Sequence, residues 1–127
     1  MNSVRAYTGR EMESMESAVN YHRWILRTFS PWLGKRLVEV GAGRGAFSEL
    51  LRERRPESLV MLEPSVNLYP DLARRMGASH TRQCTLRESA NSLGPVDSIL
   101  YINVLEHIED DAQELAAAHS LLTPGGR

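Results

Sequence analysis

The chain has 127 residues, of which 42% are hydrophobic and 24% are charged, values that are typical of a globular protein. Fifteen basic and sixteen acidic residues leave a net charge of -1, so no basic field favours nucleic acid as a partner. No apolar run approaches the ~20 residues that span a bilayer, so no membrane association is predicted. A single cysteine excludes an internal disulfide and most cysteine-based metal sites, and the cytoplasm is the expected compartment.

The N-terminal part predicts a polar arm over residues 1–13 and then one amphipathic helix from Ser14 to Ser30. Pro31 ends this helix, because the residue before a proline is disfavoured in helical geometry. Helical spacing predicts that one stripe of this helix faces inward, formed by Ala18, Tyr21, Ile25 and Phe29. Trp24 is also expected in the core, together with Tyr21.

From residue 37 onward, short apolar runs predict strands, and longer segments with helical spacing separate them. The predicted strands cover residues 37–40, 59–62, 79–84 and 96–104. The predicted helices cover residues 45–54, 67–76 and 109–122, and residues 86–95 form a loop or a short helix. On the last helix, the residues expected to face inward are Ala112, Leu115, His119 and Leu122.

Strands that alternate with helices indicate an α/β fold in which a parallel sheet has helices on both faces, giving three layers. We therefore divide the chain into an N-terminal arm and covering helix, residues 1–36, and a sheet domain, residues 37–127. The pattern stops after the fourth strand and its helix, so the sheet domain is expected to be an incomplete doubly wound fold.

A glycine-rich turn follows the first strand, with Gly41, Gly43 and Gly45 leading into a helix. Glycine permits close backbone approach, so this turn suits a ligand cradle. The segment from Gly41 to Ala46 also satisfies the loose dinucleotide fingerprint. Glu39 separates the two possibilities, because a buried carboxylate repels a pyrophosphate and attracts a cationic ligand. The alternative is that Glu39 bonds backbone N–H groups or an arginine.

The segment from Glu39 to Gly45 resembles the first motif of class I S-adenosylmethionine-dependent methyltransferases, E/D-x-G-x-G-x-G. In that family the glycines surround the methionine and ribose parts of the cofactor. The resemblance implies a Rossmann-like fold with strand order 3-2-1-4 in this chain. It also implies that Glu63, which ends the second strand, accepts hydrogen bonds from two ribose hydroxyls, a role that NAD enzymes share.

Two later segments extend the resemblance. Residues 103–108, Asn-Val-Leu-Glu-His-Ile, resemble the fourth motif, which passes under the methionine tail, and residues 121–126 resemble the turn before a fifth strand. Many relatives have an acidic residue after strand three that bonds the adenine amino group, and this chain has none there. The resemblance then implies that Thr85 or a backbone carbonyl takes its place and that Leu86 packs on the adenine ring. The implied cofactor-binding residues are Glu39, Gly41, Ala42, Gly43, Gly45, Glu63, Pro64, Thr85, Leu86, Asn103 and Val104.

The implied function is methyl transfer from S-adenosylmethionine to an unidentified acceptor, with a small molecule favoured, leaving S-adenosylhomocysteine. His107 is the candidate base, although a histidine after a strand also serves as a helix cap. No metal is implied. Two alternatives stay open: an NAD(P)-binding oxidoreductase domain, and a non-catalytic interaction module.

The fourth strand has no protective feature of a natural sheet edge, such as lysine or proline between Ile99 and Ile102. If it forms the edge of the sheet, two copies of the chain are expected to associate through it. The alternative is that residues 104–127 fold back and shield this edge.

Overall fold

Five α-helices and four β-strands alternate in the computed structural model, which describes residue 6 and residues 19–127. The helices are α1 (Val19–Phe29), α2 (Ala46–Glu53), α3 (Tyr69–Met76), α4 (Leu86–Leu93) and α5 (Asp111–Leu121). The strands are β1 (Arg36–Val40), β2 (Ser58–Leu62), β3 (Thr81–Arg82) and β4 (Ser98–Tyr101). Short 3-10 turns cover Ser30–Trp32, Ala78–His80 and Leu105–His107.

The four strands form one parallel sheet in the order β3-β2-β1-β4. In its register, Val38 of β1 lies between Val60 of β2 and Ile99 of β4. The predicted α/β fold and strand order are therefore confirmed. Because parallel strands share a direction, the loops that leave the carboxyl ends of β1, β2 and β4 meet at one edge of the sheet.

Two apolar clusters cover the two faces of the sheet, as the predicted three-layer arrangement requires. Alternate residues of each strand point to opposite faces, so Leu37 and Val38 belong to different clusters. One cluster joins the sheet to α1, α2 and α3 through Ile25, Phe47, Leu51, Leu72 and Met76. The other joins it to α4 and α5 through Leu86, Ala118 and Leu121.

The described part of α1 presents a different face from the predicted one. His22 and Ile25 are buried, whereas Tyr21 and Phe29 are exposed and Trp24 is 56% exposed. The prediction of Tyr21, Trp24 and Phe29 as core residues is wrong, because α1 docks on Phe47 through the ring of His22, at 5.7 Å between centroids. Ala18 and the predicted arm, apart from Ala6, lie outside the described residues.

The inward face of α5 also differs from the prediction. Ala112, Leu115 and His119 are exposed, and the buried residues are Glu114, Ala118 and Leu121. Glu114 tolerates burial because the Tyr101 hydroxyl donates a hydrogen bond to its Oε1 at 2.9 Å. The expected inward position of Leu122 agrees with its packing against the second cluster.

Two of the strands, β3 and β4, are shorter than predicted because their backbone pairing ends earlier. β3 has two residues instead of the predicted 79–84, and β4 ends at Tyr101 instead of residue 104. Residues 86–95, predicted as a loop or a short helix, contain α4, whose N-terminus is capped by Thr85. The division of the chain at residue 36 stays a prediction.

The outer side of β4 is paired along its first half with the end of the chain. The N–H of Ile99 donates to the carbonyl of Arg127 at 2.9 Å, and the N–H of Arg127 donates to the carbonyl of Asp97 at 3.0 Å. Val96 forms a parallel bridge with Leu122. The predicted open edge is therefore wrong for this half, where the fold-back alternative holds, and self-association through the strand stays a prediction.

Asp97 connects three segments at the amino end of the sheet. Its Oδ2 accepts hydrogen bonds from the backbone N–H groups of Lys35 and Arg36, and its Oδ1 accepts from the Arg36 guanidinium and the Thr123 hydroxyl. The Arg36 guanidinium and backbone N–H hold the pKa of this carboxyl well below its usual range. The folded state therefore favours the ionised carboxylate.

We expect Asp97→Asn to lower the free energy of unfolding at pH 7, because an amide oxygen cannot replace a carboxylate that accepts from so many donors. A pKa that is lower in the folded state stabilises the protein above the ordinary carboxyl pKa, and this contribution is lost as the pH falls. The difference between the two proteins should therefore shrink from pH 7 to pH 3 in urea denaturation. Glu109→Gln, at an exposed position, is the control; a constant difference would contradict the charge argument.

Two negative observations apply to residue 6 and residues 19–127. No helix in this part has the length and apolar character that a membrane span requires. These residues also contain no group of three or more His, Cys, Asp or Glu side chains placed to hold a metal ion.

Candidate functional site

The glycine loop, residues 41–45, runs from the carboxyl end of β1 to the start of α2. The N–H groups of Gly41 and Ala42 both donate to the carbonyl of Leu62, at 2.8 and 2.9 Å, so the loop is fixed to the end of β2. Gly41 and Gly43 have φ angles of +70° and +61°. Side chains rarely adopt such angles, so this path needs glycine.

Val104 packs directly on Gly41 from the segment that follows β4. A Cβ atom at Gly41 would lie 2.6 Å from Cγ2 of Val104, closer than van der Waals contact permits. Asn103, just before it, has a φ of +58°, an angle that turns the chain sharply after the strand. The predicted residues Gly41, Asn103 and Val104 therefore lie together at one edge of the sheet.

Glu63 holds the middle of the glycine loop. Its side chain is 4% exposed, its Oε1 accepts from the N–H of Gly43 at 2.8 Å, and its Oε2 accepts from the N–H of Ser65 at 2.8 Å. A carboxylate has about four lone-pair directions, so two backbone donors leave acceptor capacity on both oxygens. Pro64, half-buried, lies between Glu63 and Ser65.

Glu39 lies beneath the same loop with its side chain 2% exposed. Burial raises the pKa of Glu39 to about 8; the hydroxyl of Ser48 lowers it and the charge of Glu63 raises it further. Ser48 donates to Oε1 of Glu39 at 2.5 Å. The alternative considered from the sequence was that Glu39 bonds backbone N–H groups or an arginine; the donor seen here is instead a serine hydroxyl.

The protonation of Glu39 changes one argument made from the sequence. A carboxyl with a pKa of about 8 is largely neutral at pH 7. It does not then repel a pyrophosphate, so Glu39 does not separate a dinucleotide from a cationic ligand by its charge alone.

An ion pair and a hydrogen bond hold the outer side of the glycine loop against α3. Arg44 forms an ion pair with Asp71, with 3.0 Å between Nε and Oδ2, and its carbonyl accepts from the Arg75 guanidinium at 3.1 Å. A Cβ atom at Gly45 would lie 3.1 Å from Cδ1 of Leu72. Gly45 therefore permits close packing of the loop against α3.

The predicted adenine residues have mainly structural contacts. Thr85 caps α4, and its Oγ1 accepts from the N–H of Glu88 at 3.3 Å. Leu86 is 0% exposed within the second apolar cluster. Its side chain offers no surface to a ring, so the prediction that Leu86 packs on adenine is wrong.

His107 lies in the 3-10 turn after Val104, and its side chain is 65% exposed. Its Nε2 is 3.8 Å from Oε1 of Glu106, which is also exposed. The side chain is thus open to an external partner.

Sequence reasoning missed Ser48 and Ser65, which hold Glu39 and Glu63. A signal for Ser48 exists, since it is a polar residue between Phe47 and Leu50 on the apolar face of a short helix. Ser65 acts through its backbone N–H, which no residue type reveals.

A family model described as "Methyltransferase domain" matches residues 12–127. Among curated proteins, the ubiquinone biosynthesis O-methyltransferase of Pseudomonas aeruginosa PAO1 is 30% identical over 98 residues, covering 74% of this chain and 42% of that protein. The corresponding protein of Xylella fastidiosa is 32% identical over 106 residues, covering 76% and 41%. The chain thus spans about two-fifths of the length of these relatives.

Solved structures share the fold. A SAM-dependent methyltransferase from Archaeoglobus fulgidus superposes with a TM-score of 0.71 at 20% identity, covering 87% of this chain and 51% of that one. The N-terminal domain of EvdMO1, crystallised with SAH bound, gives a TM-score of 0.70 at 18% identity, covering 94% and 56%. At these identities the likeness establishes the architecture.

Proposed function

We propose that this chain, which belongs to the methyltransferase domain family, binds S-adenosylmethionine at the carboxyl edge of its sheet. The observation that supports this most directly is the Glu63 carboxylate, buried and bonded to the N–H of Gly43 within the glycine loop. This arrangement places two acceptor oxygens beside a backbone that a ligand can approach closely. A ribose diol is a matched partner for such a carboxylate.

The other proposed contacts with the cofactor come from residues at the same edge of the sheet. The backbone of Gly41, Ala42 and Gly43 would cradle the methionine and ribose parts, with Gly45 holding the loop on α3. Asn103 and Val104 would line the methionine side, and Pro64 and Thr85 the adenine side. Glu39, buried at the end of β1, would lie near the cationic end of the ligand. The Leu86 side chain is not part of this proposal, because it is buried in the core.

The proposed reaction is methyl transfer by in-line displacement. The cofactor supplies a methyl group made electrophilic by its sulfonium, and the protein must hold an acceptor atom in line with it. His107, with an exposed side chain just beyond Val104, is the proposed base for an acceptor hydroxyl. An acceptor that needs no deprotonation would make this role unnecessary.

We propose a small molecule as the acceptor and the cytoplasm as the location. The names of the curated relatives support oxygen as the methylated atom, since they are O-methyltransferases of ubiquinone biosynthesis. Another crystal structure of the EvdMO1 domain was obtained in the presence of SAH and D-fucose. The balanced net charge of -1 gives no support to a nucleic acid acceptor.

Titration calorimetry with S-adenosylhomocysteine and with NAD tests the cofactor. We expect heat of binding with the first ligand and none with NAD; the reverse result would establish the dinucleotide alternative. Gly43→Val should abolish binding, because a branched side chain cannot follow the loop at its φ of +61°. Gly94→Val is the matched control, since Gly94 has a φ of +65° but no atom within 4 Å of its Cβ position.

A methyl-transfer assay with labelled cofactor and small hydroxylated acceptors tests the reaction separately. Transfer that falls at least tenfold in His107→Ala would support the proposed base. Cofactor binding without transfer to any acceptor, in this chain and in a longer form of the protein, would favour a non-catalytic module.

A further inference from the structure

Two buried carboxyls beside the glycine loop, Glu63 and Glu39, accept hydrogen bonds from different donors. Glu63 receives two backbone N–H donors, from Gly43 and Ser65. Among residues 19–127, Glu39 receives one hydrogen bond, from the Ser48 hydroxyl. Hydrogen bonds from fixed donors favour a charged carboxylate, and Glu63 accepts two such bonds from backbone N–H groups. A second negative charge in the same apolar surroundings would be costly without a cation beside it.

Within residues 19–127, a hydroxyl and a carboxylate act on Glu39. β2 and the loop after it contribute Glu63, and α2 contributes Ser48. His22 of α1 is buried against Phe47, and burial lowers its pKa, which favours the neutral form. Arg44 of the glycine loop forms an ion pair with Asp71 on α3. In the part of the chain that the structure describes, the charged group that acts on Glu39 is Glu63, which disfavours a second negative charge.

We propose that Glu39 holds a proton in the ligand-free chain and releases it when the cationic methionine end of S-adenosylmethionine occupies the glycine loop. This inference rests on the proposed function. The O–H bond of the carboxyl breaks, the proton passes to the solvent, and the carboxylate that remains is paired with the positive charge of the ligand. Glu39 would then make the site selective for a ligand that carries a cation.

The pKa of about 8 for Glu39, raised by burial, sets the direction of the pH dependence. Below that pH the free chain holds a proton that the complex lacks, so binding must release it. The affinity for S-adenosylmethionine should therefore rise with pH up to about 8, by at most about tenfold per pH unit, and then level off.

Calorimetric titration of S-adenosylmethionine in two buffers of different ionisation enthalpy measures the proton released. For the unmodified chain we expect up to one proton per bound ligand at pH 7 and close to none at pH 9. Glu39→Gln keeps the shape of the side chain but cannot ionise, so its release should vanish. Glu49→Gln, at a half-exposed carboxyl on α2, should leave the release unchanged.

Ser48→Ala gives a further readout that a purely structural role would not produce. Without the donor that lowers the pKa of Glu39, proton release should persist to higher pH than in the unmodified chain. Release that is unchanged in Glu39→Gln, or that is absent at pH 7 while S-adenosylmethionine binds, would overturn the inference. Absence of any binding heat in the unmodified chain would instead overturn the proposed function.

Infrared difference spectra of the unmodified chain provide a test that does not depend on the folding of a variant. The band of a protonated carboxyl should be present at pH 7 and should disappear when S-adenosylmethionine is added. A band that persists in the complex would show that Glu39 keeps its proton.

Discussion

Gly41→Ala is expected to destabilise the chain and to weaken cofactor binding at least tenfold. A side chain at a φ of +70° costs about 1–2 kcal/mol. The added Cβ would also lie 2.6 and 2.7 Å from the two methyl groups of Val104, which a short branched side chain cannot swing away. Overpacking of this kind typically costs about 1–3 kcal/mol. Urea denaturation and titration with S-adenosylhomocysteine measure the two effects.

Gly94→Ala separates the two causes. Gly94 has a φ of +65°, but nothing lies within 4 Å of its Cβ position, so this variant should show the backbone cost alone. In the double variant Gly41→Ala with Val104→Ala, removal of the valine methyl groups should restore part of the lost stability. If Gly41→Ala is no more damaging than Gly94→Ala, the contact with Val104 does not constrain the loop.

The sequence allowed the residues at this edge of the sheet to be predicted as one site, although not the contacts between their side chains. Short apolar runs identify β1, β2 and β4, and the residues just after parallel strands meet at one edge. The family resemblance assigns Gly41, Glu63 and Val104 to one cofactor site at this edge, without knowledge of any side-chain conformation. The strand order 3-2-1-4 was also predicted from the family resemblance.

Helix faces and buried partners were harder to predict because they depend on tertiary contacts. In α5 several alanines give no sharp apolar stripe, and Glu114 turns inward only because the Tyr101 hydroxyl is there to pair with it. In α1 aromatic residues occur around much of the helix, and docking on Phe47 selects His22 and Ile25. The hydroxyl of Ser48, which lowers the pKa of Glu39 against the larger effect of burial, comes from a different element.

Glu63→Ala is expected to have a large effect on both folding and binding. It removes the acceptor of two backbone N–H groups, on Gly43 and Ser65. A buried donor left without a partner costs about 1–3 kcal/mol, so the free energy of unfolding should fall by at least that amount. Glu57→Ala, at an exposed position before β2, should change it by less than about 0.5 kcal/mol.

Loss of binding in Glu63→Ala has two possible causes, a displaced glycine loop and missing bonds to the ribose. Titration with S-adenosylhomocysteine and with its 2′-deoxy analogue distinguishes them. If Glu63 accepts from the 2′-hydroxyl, the substitution should weaken the first ligand about tenfold more than the second, because a bond to a charged group contributes about 1.5–3 kcal/mol. Equal losses for both ligands would mean that Glu63 acts on binding through the N–H of Gly43, by holding the loop, and that the 2′-hydroxyl binds elsewhere.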